Sequence, residues 1–591
     1  MTDFTPPPAF TTRPQLTGTF GMAASTHATA TAVAQAVLER GGNAFDAVVA
    51  GGFVLHIVEP HLNGPGGDLV GLFQAAGGPA TVLAGQGPAP AGATIAHLRA
   101  EGLDLVPGAG GLAAAVPGAV DAWLLLLRDH GTWELADVLD YAIGYARGGH
   151  PLLAAAAVTI GRVEDLFRDA WPSSAALWMP DGDVPAAGTL VRNPAYAAVL
   201  DGLVAAGAGA PTRAERIDAA RTEWKTGLVA RASADFLSRP HRHATGTDHA
   251  GVITAADFTA FDAGYEEPLI VPFRGHTVAK AGAWSQGPAL LEALRILEPF
   301  DDAHLDPQTP LGAHTIIETL KLVLADRDAY FGDGADVAPL LTAEYAAERR
   351  AEIGATASRA WRPGSLADRT PFRPPLRVDT AAPVAGTGEP TVSRTGRTRG
   401  DTCHIDVVDR WGNIVSVTPS GGWLQSSPTI PELGFCLGTR LQMCWLDEAA
   451  PAALRPGVRP RTTLSPTLVL RGGAAVFAMG TPGGDQQDQW QLPMLLRMLA
   501  GGYSAQEAVD APTLHTTALI DSFWPRTWTP TGVVAEARLG ADVIADLRAR
   551  GHEVTAAGDW SLGRLSAVGI DGDTVWAAAN PRGMQGYAAG R

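Results

Sequence analysis

Three cysteines in 591 residues, Cys403, Cys436 and Cys444, are too few for a disulfide framework, and their spacing fits no zinc pattern. They read as reduced thiols. Charge is also scarce. Only 18% of the residues are charged, and 61 Asp and Glu against 44 Lys and Arg give a formal net charge of −17. Nucleic acids and anionic membranes need clustered Lys and Arg, so both are excluded as partners and a small-molecule enzyme is favoured. Long hydrophobic runs are missing too: 47–58, among the longest, is too short to span a bilayer and contains His56. Met1 to Pro8 carry neither a basic nor an apolar segment, so no secretory signal is visible and a cytoplasmic protein is expected.

What is present is apolar bulk: 46% hydrophobic residues, enough for a large core. Periodicity predicts a helix over 28–40, stopped by Gly41-Gly42. A second helix over 47–58 is capped by Asn43 or Asp46 and is apolar nearly all round, hence buried. Further helices are predicted at 94–101, 118–130, 135–147, 194–206, 489–500 and 539–550, with amphipathic ones at 286–297 and 314–330. Paired strands are predicted within 269–278, and terminal strands near Ala567 and Val575. The glycine-dense run from Glu59 to Asp68 lets backbone approach another backbone or a ligand closely. No internal repeat is present. Strands clustered toward both ends, with helices between and around them, fit one interleaved α+β layered domain.

Two stretches differ in kind. His241, His243, Asp248 and His249 suggest a metal site, but they lie in a polar stretch with no cysteine, which reads as a solvated loop; no metal or other cofactor is expected. Residues 361–401, rich in Pro, Arg, Thr and Gly, read as a flexible linker. The linker ends at Asp401. Immediately after it, 402–418 carries two β-branched runs around Gly412-Asn413, which predicts a β-hairpin whose first strand starts at Thr402. A threonine freed at its α-amino group would hold nucleophile and base in one residue.

Taken in order, these residues resemble the γ-glutamyltransferase (γ-glutamyl transpeptidase) family of N-terminal nucleophile hydrolases. The resemblance rests on Arg40-Gly41-Gly42-Asn43-Ala44-Phe45-Asp46-Ala47, Glu59-Pro60-His61 with its glycine loop, Val116-Pro117-Gly118 and Ala325-Asp326-Arg327. It continues through 402–418, Arg459-Pro460, Leu464-Ser465-Pro466-Thr467, Thr481-Pro482-Gly483-Gly484 and Asn580-Pro581-Arg582. It implies an α+β fold of the four-layer αββα sandwich type and a precursor cut between Asp401 and Thr402. Residues 1–401 would form the large subunit and 402–591 the small one, both in a single interleaved domain; a homodimer of that heterodimer is compatible.

The resemblance also implies roles. Thr402 is the nucleophile, Thr418 and Ser420 the hydroxyls that support it, and Gly483 and Gly484 the oxyanion hole. Where γ-glutamyl-processing members clamp the substrate, this sequence departs from the pattern. Gln86 stands for a carboxylate-binding arginine, Met443 for an acid, Gly422 for an asparagine, and Thr462-Thr463 for paired serines. Arg440 introduces a positive fork that suits a small carboxylate-bearing acyl group, and Trp423 and Trp445 would narrow the pocket. The expected activity is therefore an autoprocessed amidohydrolase or acyltransferase acting on a small amide. Alternatives are an oxamate-type amidohydrolase, a C–C bond hydrolase of specialised metabolism, or an unprocessed, non-catalytic scaffold.

Overall fold

The computed structural model describes residues 4–378 and 402–591. Two seven-stranded antiparallel sheets form its centre. The first runs, in spatial order, Tyr587–Gly590, Gly21–Ser25, Ile405–Asp409, Ile414–Ser420, Asp68–Gln74, Ala80–Gly85 and Gly264–Glu266. The second runs Leu16–Gly18, Thr574–Ala579, Ser566–Asp571, Ala474–Gly480, Thr467–Arg471, His276–Lys280 and Leu269–Phe273. Each sheet mixes strands from before and after Thr402, so neither half of the chain could complete a sheet alone.

Period-2 alternation assigns the faces. In Ile405–Asp409 and Ile414–Ser420, residues Ile405, Val407, Val415 and Val417 enter a core shared with the helices Ala28–Glu39, Ala44–Val58 and Ala119–His130. Val408 and Ile414 turn the other way and meet Leu468, Ala478 and Val568 of the second sheet. A third core lies on the far side of the second sheet, beneath the helices Gly287–Leu297, Pro310–Tyr330 and Gln487–Leu499.

The helix Ala44–Val58 positions the hairpin. Its start is fixed by a reciprocal cap: the Asn43 side chain accepts from the N–H groups of Phe45 and Asp46, while Asp46 accepts from the Asn43 N–H. Both candidate capping residues are thus used at once. All fifteen of its residues are buried, and Gly51 is needed for the close approach, since a Cβ there would lie 2.5 Å from Ile405 Cδ1.

The sequence misjudged three features. Helix Pro310–Tyr330 is not amphipathic in the ordinary sense, because every residue from Gly312 onward is buried. Its polar residues face other protein groups: Glu318 pairs with Lys321 and Arg362, and Asp326 with Arg349. Of the region expected to be a linker, 361–378 is tied down without regular structure, and 379–401 lies outside the described residues. Gly364 N–H donates to Asp326 at 2.6 Å, Tyr330 donates to the Gly364 carbonyl, and Trp528 N–H donates to the Arg377 carbonyl. The stretch expected to be a solvated histidine loop is a short hairpin, Pro240–Arg242 with Asp248–Ala250, whose His243 and His249 are buried. No grouping of metal-binding side chains occurs among the described residues.

Candidate active site

The hairpin's first named strand begins at Ile405, three residues later than predicted. Proline explains the break. The register that pairs Ile405 with Val417 places Cys403 opposite Pro419, and Cys403 N–H donates to the Pro419 carbonyl at 3.0 Å, but Pro419 has no N–H to return. Pairing resumes one step further, where Thr402 bridges Ser420. Alternation then sends Thr402, His404 and Asp406, with Ser416, Thr418 and Ser420, toward the second sheet.

On that face the side chains form a buried polar chain. Thr402 Oγ1 lies 3.2 Å from Ser420 Oγ. Thr418 Oγ1 lies 2.8 Å from His404 Nδ1, His404 Nε2 is 2.8 Å from Asp406 Oδ1, and Ser566 of the second sheet donates to Asp406 Oδ2 at 2.8 Å. Asp406 accepts, so His404 donates through Nε2. In the neutral ring Nδ1 is then the acceptor for the Thr418 hydroxyl, leaving the lone pairs of Thr418 available to other donors. The ring itself lies against Gly480, where a Cβ would come 2.2 Å from His404 Cε1. His404 and Asp406 were missed from the sequence. Their i, i+2 spacing on a strand was the available signal.

The opposite face carries Cys403. Its thiol donates to Glu59 Oε2 at 3.0 Å, and Glu59 also accepts from Thr26 at 2.6 Å. Burial and the neighbouring carboxylate push the Cys403 thiol well above its ordinary range. A protonated, buried thiol is a poor nucleophile, so the reactive candidate at this end of the strand is Thr402.

Two loops from distant sequence converge nearby. The glycine-dense loop packs on 420–422 as its composition predicts: a Cβ on Gly67 would fall 2.1 Å from the Ser420 carbonyl oxygen, and one on Gly64 would fall 2.4 Å from that of Gly422. Gly422 therefore serves backbone packing. The other loop contains Gly483 and Gly484, both at positive φ (126° and 52°); Gly484 opens a short 3₁₀ turn, Gly484–Gln486, that leads into the helix Gln487–Leu499. Trp490 closes the space beneath Gly483, where a Cβ would lie 2.2 Å from the indole. Gly480, three residues upstream, rests on His404, so this loop springs from the polar chain below Thr402.

The remaining predicted residues fare differently. Arg440 is not a free cation: its guanidinium grips Asp68 in a two-pronged pair at 2.6 and 2.7 Å, both partners buried. Its positive charge is neutralised by a residue 372 positions away, a partner that spacing could not reveal. Met443 packs with Trp423 and Phe523 in an apolar cluster. Trp445 belongs to a separate apolar cluster. Gln86 is buried, its amide donating to the Gly87 carbonyl at 3.2 Å. Thr462 accepts from Leu464 N–H at 3.3 Å, and Thr463 is buried beside it. Asp401 lies outside the described residues.

A nucleophile candidate bridged to Ser420 just ahead of the hairpin strand, with a diglycine loop that leaves the second sheet beside His404, is the arrangement that the comparisons explain. The family model described as Gamma-glutamyltranspeptidase matches residues 30–590. The chain belongs to that family. It is accordingly an enzyme of the hydrolase and transferase kind that works through an N-terminal nucleophile. Among curated relatives, the glutathione hydrolase-like YwrD proenzyme of Bacillus subtilis is 29% identical, over 97% of this chain and 99% of the relative. The oxamate amidohydrolase proenzyme of Klebsiella pneumoniae is also 29% identical, over 97% and 98%. A solved structure, that of LmbA2991HD, is 52% identical and superposes with a TM-score of 0.93, covering 98% of this chain and all of its own. Among the described residues no helix is long and apolar enough to cross a membrane.

Proposed function

We propose that this chain is a precursor that cuts itself between Asp401 and Thr402. Thr402 then acts as the acyl-forming nucleophile of an amidohydrolase or acyltransferase for small carboxylate-bearing amides. The observation that carries the reading is the position of Thr402. It bridges Ser420 just ahead of the strand Ile405–Asp409 and faces the second sheet, with its hydroxyl 3.2 Å from Ser420 and the Thr418–His404–Asp406 chain on the same face.

In the precursor, Thr402 Oγ attacks the Asp401 carbonyl, the acyl group moves from nitrogen to oxygen, and water hydrolyses the ester. The freed α-amino group, with a pKa of about 8, is partly neutral near pH 7. It takes the hydroxyl proton as Oγ attacks the substrate carbonyl and returns it to the leaving amine. N–H groups of Gly483 and Gly484, at the head of a helix, face the developing oxyanion. Water or an acceptor amine then takes the acyl group from Thr402.

The products would be a large piece, 1–401, and a small piece, 402–591. The three apolar cores, one between the sheets and one outside each, support the four-layer αββα arrangement. γ-Glutamyl recognition is disfavoured because Gln86 carries no charge for an α-carboxylate and Met443 no carboxylate for an α-ammonium, its sulfur instead meeting the Arg440 guanidinium at 3.7 Å. An oxamate-type amide suits the site better, in keeping with the oxamate amidohydrolase relative.

Denaturing electrophoresis with N-terminal sequencing tests the reading. The wild type yields two fragments, the smaller beginning at Thr402, and hydrolyses oxamate faster than a γ-glutamyl anilide. Thr402→Ala remains a single inactive chain. Activity retained by Thr402→Ala would sink the mechanism, and fast γ-glutamyl turnover would sink the substrate class.

A further inference from the structure

With Arg440 neutralised by Asp68, the charge that would receive a substrate carboxylate must come from elsewhere. A second group of buried cations gathers where the chain before Thr462, the backbone around Met443 and Asp485 come together. Arg461, directly before Thr462 and Thr463, donates through Nη2 to Ser522 Oγ at 2.7 Å and stands 3.6 Å from Asp328. Arg526 donates through Nη2 to the carbonyls of Gln442 and Cys444, at 2.9 and 3.2 Å, on either side of Met443. Its guanidinium lies over the Trp445 ring, 4.0 Å from the centroid. Arg327 completes the cluster by pairing with Asp485 and Asp328, and Asp485 directly follows the diglycine loop.

Three features set this cluster apart from an ordinary buried salt-bridge network. Arg327, Arg461 and Arg526 face two carboxylates, Asp328 and Asp485, which leaves one positive charge in excess. The neighbouring Cys444 thiol, pushed up to about 12, adds no anion. Arg461 and Arg526 are 2% and 1% exposed, yet Arg461 Nη1 and Arg526 Nε and Nη1 have no acceptor among the described residues. A buried ionic donor without a partner is costly. Desolvation and cationic neighbours pull the two guanidinium groups down to about 9 and about 10. Finally, Arg526 sits at φ 60°, a left-handed conformation that is strained for a non-glycine residue and is kept where surroundings demand it.

We propose that Arg461 and Arg526 form the seat for the carboxylate of the substrate, a planar fork for one anion next to the Met443 wall of the acyl pocket. This rests on the proposed function and deepens it: the preferred substrates are small monoanionic amides whose acyl portion carries the carboxylate. A planar carboxylate meets guanidinium N–H groups in two parallel bonds, which a lysine cannot reproduce.

The test uses processed wild-type enzyme with Arg461→Gln, Arg526→Gln and Arg526→Lys, titrated calorimetrically with oxalate. Electrophoresis reports processing separately. Wild type binds one oxalate per chain. Each Gln variant binds it at least tenfold more weakly, and Arg526→Lys falls between. With wild type alone, oxalate competes against oxamate, and oxamate is preferred at least tenfold over the uncharged oxamide in kcat/KM. Oxalate affinity within twofold of wild type in both Gln variants, or no oxalate binding by processed wild type, overturns the seat. If a variant fails to fold, the wild-type titration and the oxamate–oxamide comparison still decide. Processed enzyme that binds oxalate but hydrolyses no amide would refute the proposed function and leave the seat standing. Amide hydrolysis without oxalate binding would do the reverse.

Discussion

Gly480→Ala tests whether the His404 ring is what holds Thr418 in place. Gly480 ends a strand of the second sheet and has a φ outside the left-handed region, so alanine is acceptable to its backbone. The added methyl is not acceptable to its neighbour: it would fall 2.2, 2.6 and 2.7 Å from three atoms of the His404 ring. The ring must move, and its bonds to Thr418 and Asp406 break. A neutral hydrogen bond is worth about 1 kcal/mol and one to a carboxylate about 2, and forcing a methyl into a packed interior costs about 1–3 more. The stability loss is therefore about 4–6 kcal/mol, measured by urea unfolding in a Thr402→Ala background so that only uncut chains are compared. Conversion to two fragments should slow at least tenfold, which corresponds to about 1.4 kcal/mol of barrier. Gly202→Ala, a helix position where a Cβ meets nothing within 4 Å, is the control and should be neutral or slightly stabilising. Processing at the wild-type rate, with stability within about 0.5 kcal/mol, would refute the role given to His404.

Acid should unfold the protein early. Burial holds His56, His61 and His515 neutral, each down to about 3. Because the unfolded chain takes up these protons near pH 6.5, the stability they confer is complete above that pH and drains away as pH falls toward 3. At about 1.4 kcal/mol per unit per group, going from pH 6.5 to 5 costs about 2 kcal/mol for each histidine; a urea midpoint unchanged over that interval would contradict this. Asp68→Ala leaves Arg440 buried and uncompensated and should cost about 3–5 kcal/mol, whereas Asp68→Leu with Arg440→Met recovers most of the loss; additive losses in that cycle would rule out the pairing energetics. Asn43→Ala removes a helix cap at about 1 kcal/mol and should leave the processing rate unchanged, as electrophoresis of the purified variant can show.

Much of the scaffold was legible in sequence because its causes are local. The Asn43–Asp46 cap, the helix Pro194–Ala206 and the turn at Gly412-Asn413 depend on residues within a few positions of one another. The helices between 154 and 178 and between 213 and 237 escaped notice, since they are short or carry mixed polar faces. Buried helix Pro310–Tyr330 was misjudged for a related reason: a sequence shows which residues are polar, and only packing shows whether their partner is water or Arg349.

The sequence by itself determined the family, the hairpin turn at Gly412-Asn413 and the glycines that allow two loops to approach closely. These follow from residue type and order, which a chain carries unfolded. Tertiary structure alone decided where the charges stand. It spent Arg440 on Asp68 and left Arg461 and Arg526 buried with donors to spare. It also joined Thr418, His404 and Asp406 to Ser566 across two sheets. Electrostatic partnership is fixed by distance in space, and contacts hundreds of residues apart leave no trace in spacing.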